Sequence, residues 1–489
     1  MSWTDLTTIA PLVAAVLVAA AVLVVDFIVP GNRRAAIATA LGGLGVVALV
    51  IVVGAASRHF GTAFGGAYSA DNLTVFLDIL FVIVAALTIV FAADYLQPRG
   101  LPIAEFAAIL IFAITGAMLI AGSADLLVLF IGLELMVLPG YVLAGFARRD
   151  PYSTEGAIKY FLLGSFSSAI LLFGLAYVWG YTGSTRVDVV AAALTHAIST
   201  GSIQPGLAMG LAFLSTGVAF KMAAVPFHYW TPDAYQGSPT PVTAYLSVGP
   251  KIGAFAIVLR LFVGALEPLK GDWLPVIIVL AAATMTLGNL VAITQDNVKR
   301  MLAYSSIAHT GYILVGLAAF AGGQASGVSA ILFYGAAYTF MNMGAFGVIT
   351  ALQRRPGITS QISSFAGLGR REPWLGLLMA LFLLSLTGIP PLAGFWAKAY
   401  VIVAAIQAGN PWLNALAVLA MLNAAAAAFY YLRVVVYMYM REPATNIAPV
   451  QTGLLFRVGL AVTGIVTLVF GLFPVIVTAA GNAANVFHS

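Results

Sequence analysis

Hydrophobic residues in this chain run in long blocks, separated by short stretches that carry most of the charge. The blocks fall near residues 8–29, 35–55, 72–93, 104–122, 124–147, 156–181, 206–235, 241–263, 273–294, 301–321, 326–351, 373–408, 411–440 and 453–480. Most approach the 17–25 residues that an α-helix needs to cross the hydrocarbon of a bilayer. The pattern predicts an all-α polytopic membrane protein with 14 transmembrane helices. No connection is long enough to hold a soluble domain, so residues 1–489 read as one membrane domain. The longest, about 182–205, contains VDVVAAALTHAIS, whose apolar spacing fits a short helix lying at the interface.

Composition agrees, with 62% hydrophobic and 8% charged residues against roughly 45–50% and about 25% in soluble domains. The mean hydropathy is +1.02. The N-terminal MSWTDLTTIAPLV has no basic stretch before its apolar run and reads as a retained helix, not a cleaved signal. A net charge of +5 suggests an anionic partner only if the basic residues cluster, and here their placement follows the membrane. Arg33, Arg34, Arg99, Arg148, Arg149, Lys299, Arg300, Arg354, Arg355, Arg370, Arg371 and Arg441 fall in loops on one side, and Arg58, Arg186 and Lys270 on the other. The excess of basic loops marks the first side as cytoplasmic and puts both termini outside. Nucleic-acid binding finds no support. There is no cysteine, which removes disulfides, iron–sulfur clusters and thiolate metal sites, so any redox chemistry lies elsewhere.

Seven basic residues remain in or beside the blocks. Arg260, Arg433 and Arg457 lie near block ends, where long side chains reach the interface. Asp26 and Asp78 are placed as caps or interface contacts in the same way. Lys159 is about one turn inside the sixth block, whereas Lys221, Lys251 and Lys398 are each ten or more residues into theirs. A charge at the centre of a spanning helix costs about 2.5–3.5 kcal/mol even on the lenient insertion scale. Three such lysines imply a hydrated, protein-lined interior. Glu134, in LLVLFIGLELMVLPG, is near the middle of the fifth block. A static ion pair that locks helices is one reading of it. The other is a switchable pair with Lys221, because desolvation disfavours an ammonium and a nearby carboxylate favours it. Lys251 would then receive the proton and Lys398 would pass it outward. His228 and His309 suit a proton relay, with hydrogen-bonded packing as the alternative. His59, His196 and His488 fall in outer loops or the tail, and no histidine has a second ligand at metal-binding spacing.

Pro226, in KMAAVPFHYWTPDAYQGSPTP, should break helix 7 near its middle, and Pro390 and Pro391, in GIPPLAGFWAKAYV, should break helix 12. Broken helices at membrane depth are tolerated where they line a cavity, and a pair in corresponding halves points to inverted repeats around an ion pathway. PGYVLAG from Pro139 and TGYILVG from Thr310 share a register. They suit two inverted five-helix repeats, spans 4–8 (104–263) and 9–13 (273–440), preceded by helices 1–3 (1–103) and followed by helix 14 (441–489).

KMAAVPFHYWTPDAYQGSPTPVTAYLSVGPKIGAFA, LAYSSIAHTGY and GIPPLAGFWAKAYV together resemble the subunit N family of bacterial respiratory complex I, the NADH-quinone oxidoreductase. The PDAYQGSPTP loop and the lysine of GFWAK resemble subunit N more than the antiporter-like subunits M and L. The resemblance implies that Glu134 and Lys221 pair in a proton half-channel, that Lys251 is the central lysine of a hydrophilic axis, and that Lys398 is its outlet. Lys159, His228, Tyr304 and His309 fall on positions it associates with the same axis. It further implies that NADH, FMN, iron–sulfur clusters and quinone belong to other subunits, with no cofactor in this chain. The implied partners are K-type and M-type neighbours, the lateral helix of an L-type subunit, and lipid in the bacterial inner membrane. Two alternatives stay open on the sequence: a subunit of a cation/proton antiporter or of a dehydrogenase with another electron donor, and a structural spacer whose charges only hold helices together.

Overall fold

Several of the long helices begin where the sequence offers an acceptor to their free amides. Asp71, Asp125, Asp150, Asn297 and Asn410 precede helices Asn72–Leu96, Leu126–Ala144, Pro151–Thr182, Val298–Ala321 and Pro411–Met440. Each accepts a backbone N–H two or three residues on, at 2.8–3.1 Å, satisfying one of the donors a helix start leaves free. Pro151 and Pro411 occupy the first helical position, where a missing N–H costs nothing.

The computed structural model describes residues 2–57, 61–201, 205–354, 359–442, 450–473 and 476–487. Arg58, His59, Arg355 and His488 lie outside the described residues. Among the described residues twelve helices are long and apolar enough to cross a membrane, and the chain is a multi-pass membrane protein. They are Ala10–Ile28, Arg33–Ala56, Asn72–Arg99, Ile103–Ala121, Leu126–Ala144, Pro151–Thr182, Thr240–Ala265, Glu267–Ile293, Val298–Ala321, Ser326–Leu352, Pro411–Met440 and Leu454–Leu472. Two further apolar stretches are interrupted. Pro205–Lys221 and Trp230–Gly237 flank non-helical residues 222–229, which include Pro226, and Pro373–Thr387 and Ala393–Gln407 flank 388–392, which include Pro390 and Pro391.

The middle of the bundle is formed by Thr240–Ala265, Val298–Ala321 and Ser326–Leu352, whose side chains are almost all buried. Ala10–Ile28 and Arg33–Ala56 lie at its edge and expose Leu17, Val24, Leu49 and Val53, as a lipid-facing surface would. Small residues let backbones touch inside. A Cβ on Gly311 would lie 2.5 Å from the Met285 nitrogen, and one on Gly288 would lie 2.7 Å from that of Ala308. Gly288 and Gly311 therefore set the approach of the helices that carry them. The expected short helix is present as Val187–Ser199, with Val190 and Leu194 buried.

Three expectations change. The block 453–480 is not one helix but Leu454–Leu472 and a separate Ile476–Ala484. Arg260 does not reach the interface: its buried guanidinium donates to the Ala121 carbonyl (2.8 and 2.6 Å) and Thr74 Oγ1 (3.0 Å) and pairs with Asp71 (2.8 Å). Its helix runs through the centre of the bundle, with no lipid face along which to extend. Asp78 is buried and caps nothing, because Asp71 supplies that cap. Arg457 is exposed beside Thr452 Oγ1 (3.1 Å), and Arg433 bonds the Gln295 carbonyl, both near helix ends as expected.

Candidate functional site

The first interruption leaves backbone groups that neighbouring helices satisfy. Trp230 Nε1 donates to the Phe220 carbonyl (3.2 Å), Thr310 Oγ1 donates to that of Met222 (2.9 Å), and the Val225 amide donates to Thr284 Oγ1 (3.0 Å). Irregular backbone persists at membrane depth because protein supplies these partners. Lys221, the last residue of Pro205–Lys221, is buried, and its Nζ donates to the Gly164 carbonyl (3.1 Å) and Ser168 Oγ (2.8 Å). The Glu134 carboxylate lies within electrostatic range of Lys221 yet makes no ion pair with it among the described residues. Its Oε1 is buried without a hydrogen-bond partner, as is the hydroxyl of Tyr141 two turns along the same helix.

Lys251 follows Pro250 in the wholly buried Thr240–Val258. Its Nζ donates to both oxygens of Ser306, the carbonyl and Oγ (2.5 Å to the latter). Thr310, one turn beyond Ser306, offers its hydroxyl to the Ser306 carbonyl (3.3 Å) as well as to Met222. One side chain thus joins the first interruption to the residue holding Lys251. His309 bonds Tyr334 OH through Nδ1 (2.6 Å) and Tyr431 OH through Nε2 (3.3 Å), and lies within electrostatic range of both Lys251 and Lys398. Tyr431 OH bonds Ser305 Oγ in turn.

Lys398 is buried at the second interruption. Gly388, with φ 96°, ends Pro373–Thr387 in the left-handed conformation that glycine tolerates. The carbonyls of Leu386 and Thr387 are left free and accept from Lys398 Nζ at 3.0 and 2.8 Å. A helix C-terminus favours a cation there, and the Tyr312 ring lies beneath the ammonium, 4.8 Å to its centroid. Among the described residues, the buried Tyr245 OH and Asn342 Oδ1 also have no hydrogen-bond partner. Buried groups of this kind are normally satisfied by ordered water.

The site residues therefore divide. Lys221, Lys251, His309 and Lys398 lie along one buried polar series, with the half-buried Glu134 beside Lys221 at its end. His228 and Tyr304 form a separate pair beside the first interruption, their rings 6.5 Å apart, with His228 Nδ1 unpartnered. Lys159 is away from the series: its side chain is 43% exposed and paired with Glu155 (2.6 Å) and Asp233 (2.8 Å), the latter also paired with Arg300 (2.7 Å). Thr310, Ser306 and Ser168 escaped sequence reasoning, since a hydroxyl in an apolar helix gives no signal of its own. Lys299 was assigned to a loop but is buried, donating to the Ser238 carbonyl at 2.6 Å. Asn297 could have revealed this, because as an N-cap it starts the helix at Val298 and puts Lys299 in its first turn. No group of three or more metal-ligating side chains occurs among the described residues.

The family described as NADH:quinone oxidoreductase/Mrp antiporter, transmembrane, matches residues 123–423. Subunit N of the NADH-quinone oxidoreductase of Trichlorobacter lovleyi is 43% identical over 443 residues, 89% of this chain and 88% of its own length. That of Chloroflexus aggregans is 41% identical over 476 residues, 96% of this chain and 95% of the relative. A chain in the structure of respiratory complex I from Thermus thermophilus has a TM-score of 0.79 at 30% identity, covering 96% of this chain and 99% of that one. A chain of the Mrp complex from Dietzia sp. DQ12-45-1b shares the fold, with a TM-score of 0.83 at 22% identity over 100% and 98% of the two chains.

Proposed function

The chain belongs to the subunit N family of NADH-quinone oxidoreductase, and we propose that its buried lysines carry protons across the membrane while other subunits pass electrons to quinone. It is a proton-translocating membrane subunit of that complex, and its partners are other membrane subunits of complex I. The interrupted stretches 206–235 and 373–408 are read as spans 7 and 12, which with the twelve continuous helices make fourteen. Spans 4–8 (104–263) and 9–13 (273–440) then have odd helix numbers and opposite topology, with 1–103 before them and 441–489 after. The basic loops set the cytoplasmic face, both termini are periplasmic, and the bilayer is the bacterial inner membrane. The K-type and M-type neighbours and the L-type lateral helix are the contacts assigned to this chain. NADH, FMN, iron–sulfur clusters and quinone are assigned to other subunits.

In this reading Glu134 and Lys221 load the proton from the cytoplasm, Lys251 holds it at the centre, and Lys398 releases it outward. His309 links Lys251 to Lys398, while Tyr304 and His228 serve the first half-channel and Lys159 its approach. The observation that carries the reading is the company the three central lysines keep. Lys221, Lys251 and Lys398 bond only neutral oxygens, and none has a carboxylate within 4 Å among the described residues. A lysine kept to lock helices needs a fixed counter-ion, since an unpaired buried charge is strongly destabilising. One held by carbonyls and hydroxyls keeps hydrogen bonds as an ammonium or as an amine. Replacing Glu134 or Lys221 by Ala should lower NADH-driven proton pumping in membrane vesicles without preventing assembly, and normal pumping in both variants would remove the assignment.

A further inference from the structure

A cleft of about 420 Å³ opens at the end of the bundle where Ala10–Ile28 begins and Arg33–Ala56 ends. Its walls are apolar, with Pro11, Leu49, Val53 and Val75 among them, and the one acidic side chain lining it is Asp78. Asp78 is 2% exposed, and its Oδ1 has no hydrogen-bond partner among the described residues. Among the described residues, the cation in electrostatic reach of it is Arg260. That guanidinium is already committed to both carboxylate oxygens of Asp71, to Thr74 and to the Ala121 carbonyl. Asp71 adds a second negative charge on the same side. A buried carboxylate without a cation is costly, and Asp78 escapes that cost either as the neutral acid or with a positive donor from outside the chain.

The surroundings say which donor. Asp78 is six residues beyond Asn72, the first residue of its helix, or about 9 Å along the axis; that helix is long enough to reach across a bilayer, which would put Asp78 near the boundary of headgroups and acyl chains. Leu49 and Val53 both line the cleft and belong to the exposed apolar face of Arg33–Ala56, so the cleft is continuous with an exposed apolar surface. We propose that it seats an amine-bearing phospholipid, with the primary ammonium on the Asp78 carboxylate and an acyl chain along Leu49 and Val53. A primary ammonium has N–H groups that make short, charge-assisted bonds to a carboxylate, whereas the trimethylammonium of a choline lipid has none. The assignment is independent of the proton pathway.

The intact complex would be reconstituted in nanodiscs containing either phosphatidylethanolamine or phosphatidylcholine, each with a photoactivatable group on one acyl chain. After irradiation, labelled peptides covering residues 10–16 and 49–57 would be quantified by mass spectrometry. The ethanolamine lipid should label them about tenfold more than the choline lipid, the weight of one charge-assisted hydrogen bond. Asp78→Asn should abolish the preference and Asp78→Glu should keep it. Equal labelling by the two lipids in the wild-type complex, labelling by neither, or a preference that survives in Asp78→Asn would overturn the proposal. If Asp78→Asn does not assemble, the wild-type comparison alone decides.

Discussion

Thr310→Val probes the joint between the two halves of the buried series. Valine has nearly the same shape, so packing against Met222 and Ser306 is kept and only the hydroxyl goes. That hydroxyl donates to the Met222 carbonyl at 2.9 Å and reaches the Ser306 carbonyl at 3.3 Å. Met222 is buried in the first interruption, directly after Lys221. Removing its donor leaves a buried carbonyl unsatisfied, at a cost of about 1–3 kcal/mol. If that cost falls on the arrangement in which Lys221 and Lys251 exchange a proton, the rate drops about fivefold to about 150-fold, at 1.36 kcal/mol per tenfold. The assay is NADH-driven acidification of inverted vesicles, followed with a pH-sensitive dye and normalised to assembled complex on a native gel. Thr310→Ser restores the hydroxyl and should restore most of the rate. Wild-type pumping in Thr310→Val would refute the joint, and an equal loss in Thr310→Ser would show that the methyl group matters instead.

Three further outcomes follow from the same geometry. Arg260→Met leaves Asp71 without its cation and takes the guanidinium donors from the Ala121 carbonyl, and breaking such a buried pair costs about 3–5 kcal/mol, so the amount of assembled complex on a native gel should fall sharply. Lys159→Ala removes half-exposed ion pairs that are worth about 0.2–1 kcal/mol; assembly should be unchanged, and a pumping loss as large as that of Lys221→Ala would contradict its place away from the series. Gly311→Val must push apart backbones that a bare Cβ already brings to 2.5 Å, so thermal unfolding of the complex should occur at lower temperature, whereas Gly335→Ala, with open space around it, should be silent.

Parts of the site were legible because charge in hydrocarbon is rare. Lys221, Lys251, Lys398 and Glu134 announce themselves against apolar neighbours, and Pro226, Pro390 and Pro391 mark the interruptions because proline removes a helix amide. Arg260 and Lys299 were misplaced because both lie near block ends. Sequence distance from a block end does not say whether that end faces lipid, loop or the centre of the bundle.

From the residues alone come the membrane, the places where helices start and stop, and the ionisable groups too deep to be accidental. These depend on local rules: hydrocarbon rejects charge, backbone amides need acceptors, and proline breaks a turn. Only the tertiary structure decided which oxygens meet each lysine, that Glu134 makes no ion pair with Lys221 among the described residues, that Thr310 bridges Met222 and Ser306, and that Asp78 Oδ1 has no partner among them. Those facts depend on which helix faces which. That is set by small-residue packing between segments far apart in the chain, for which a single helix carries no local signal.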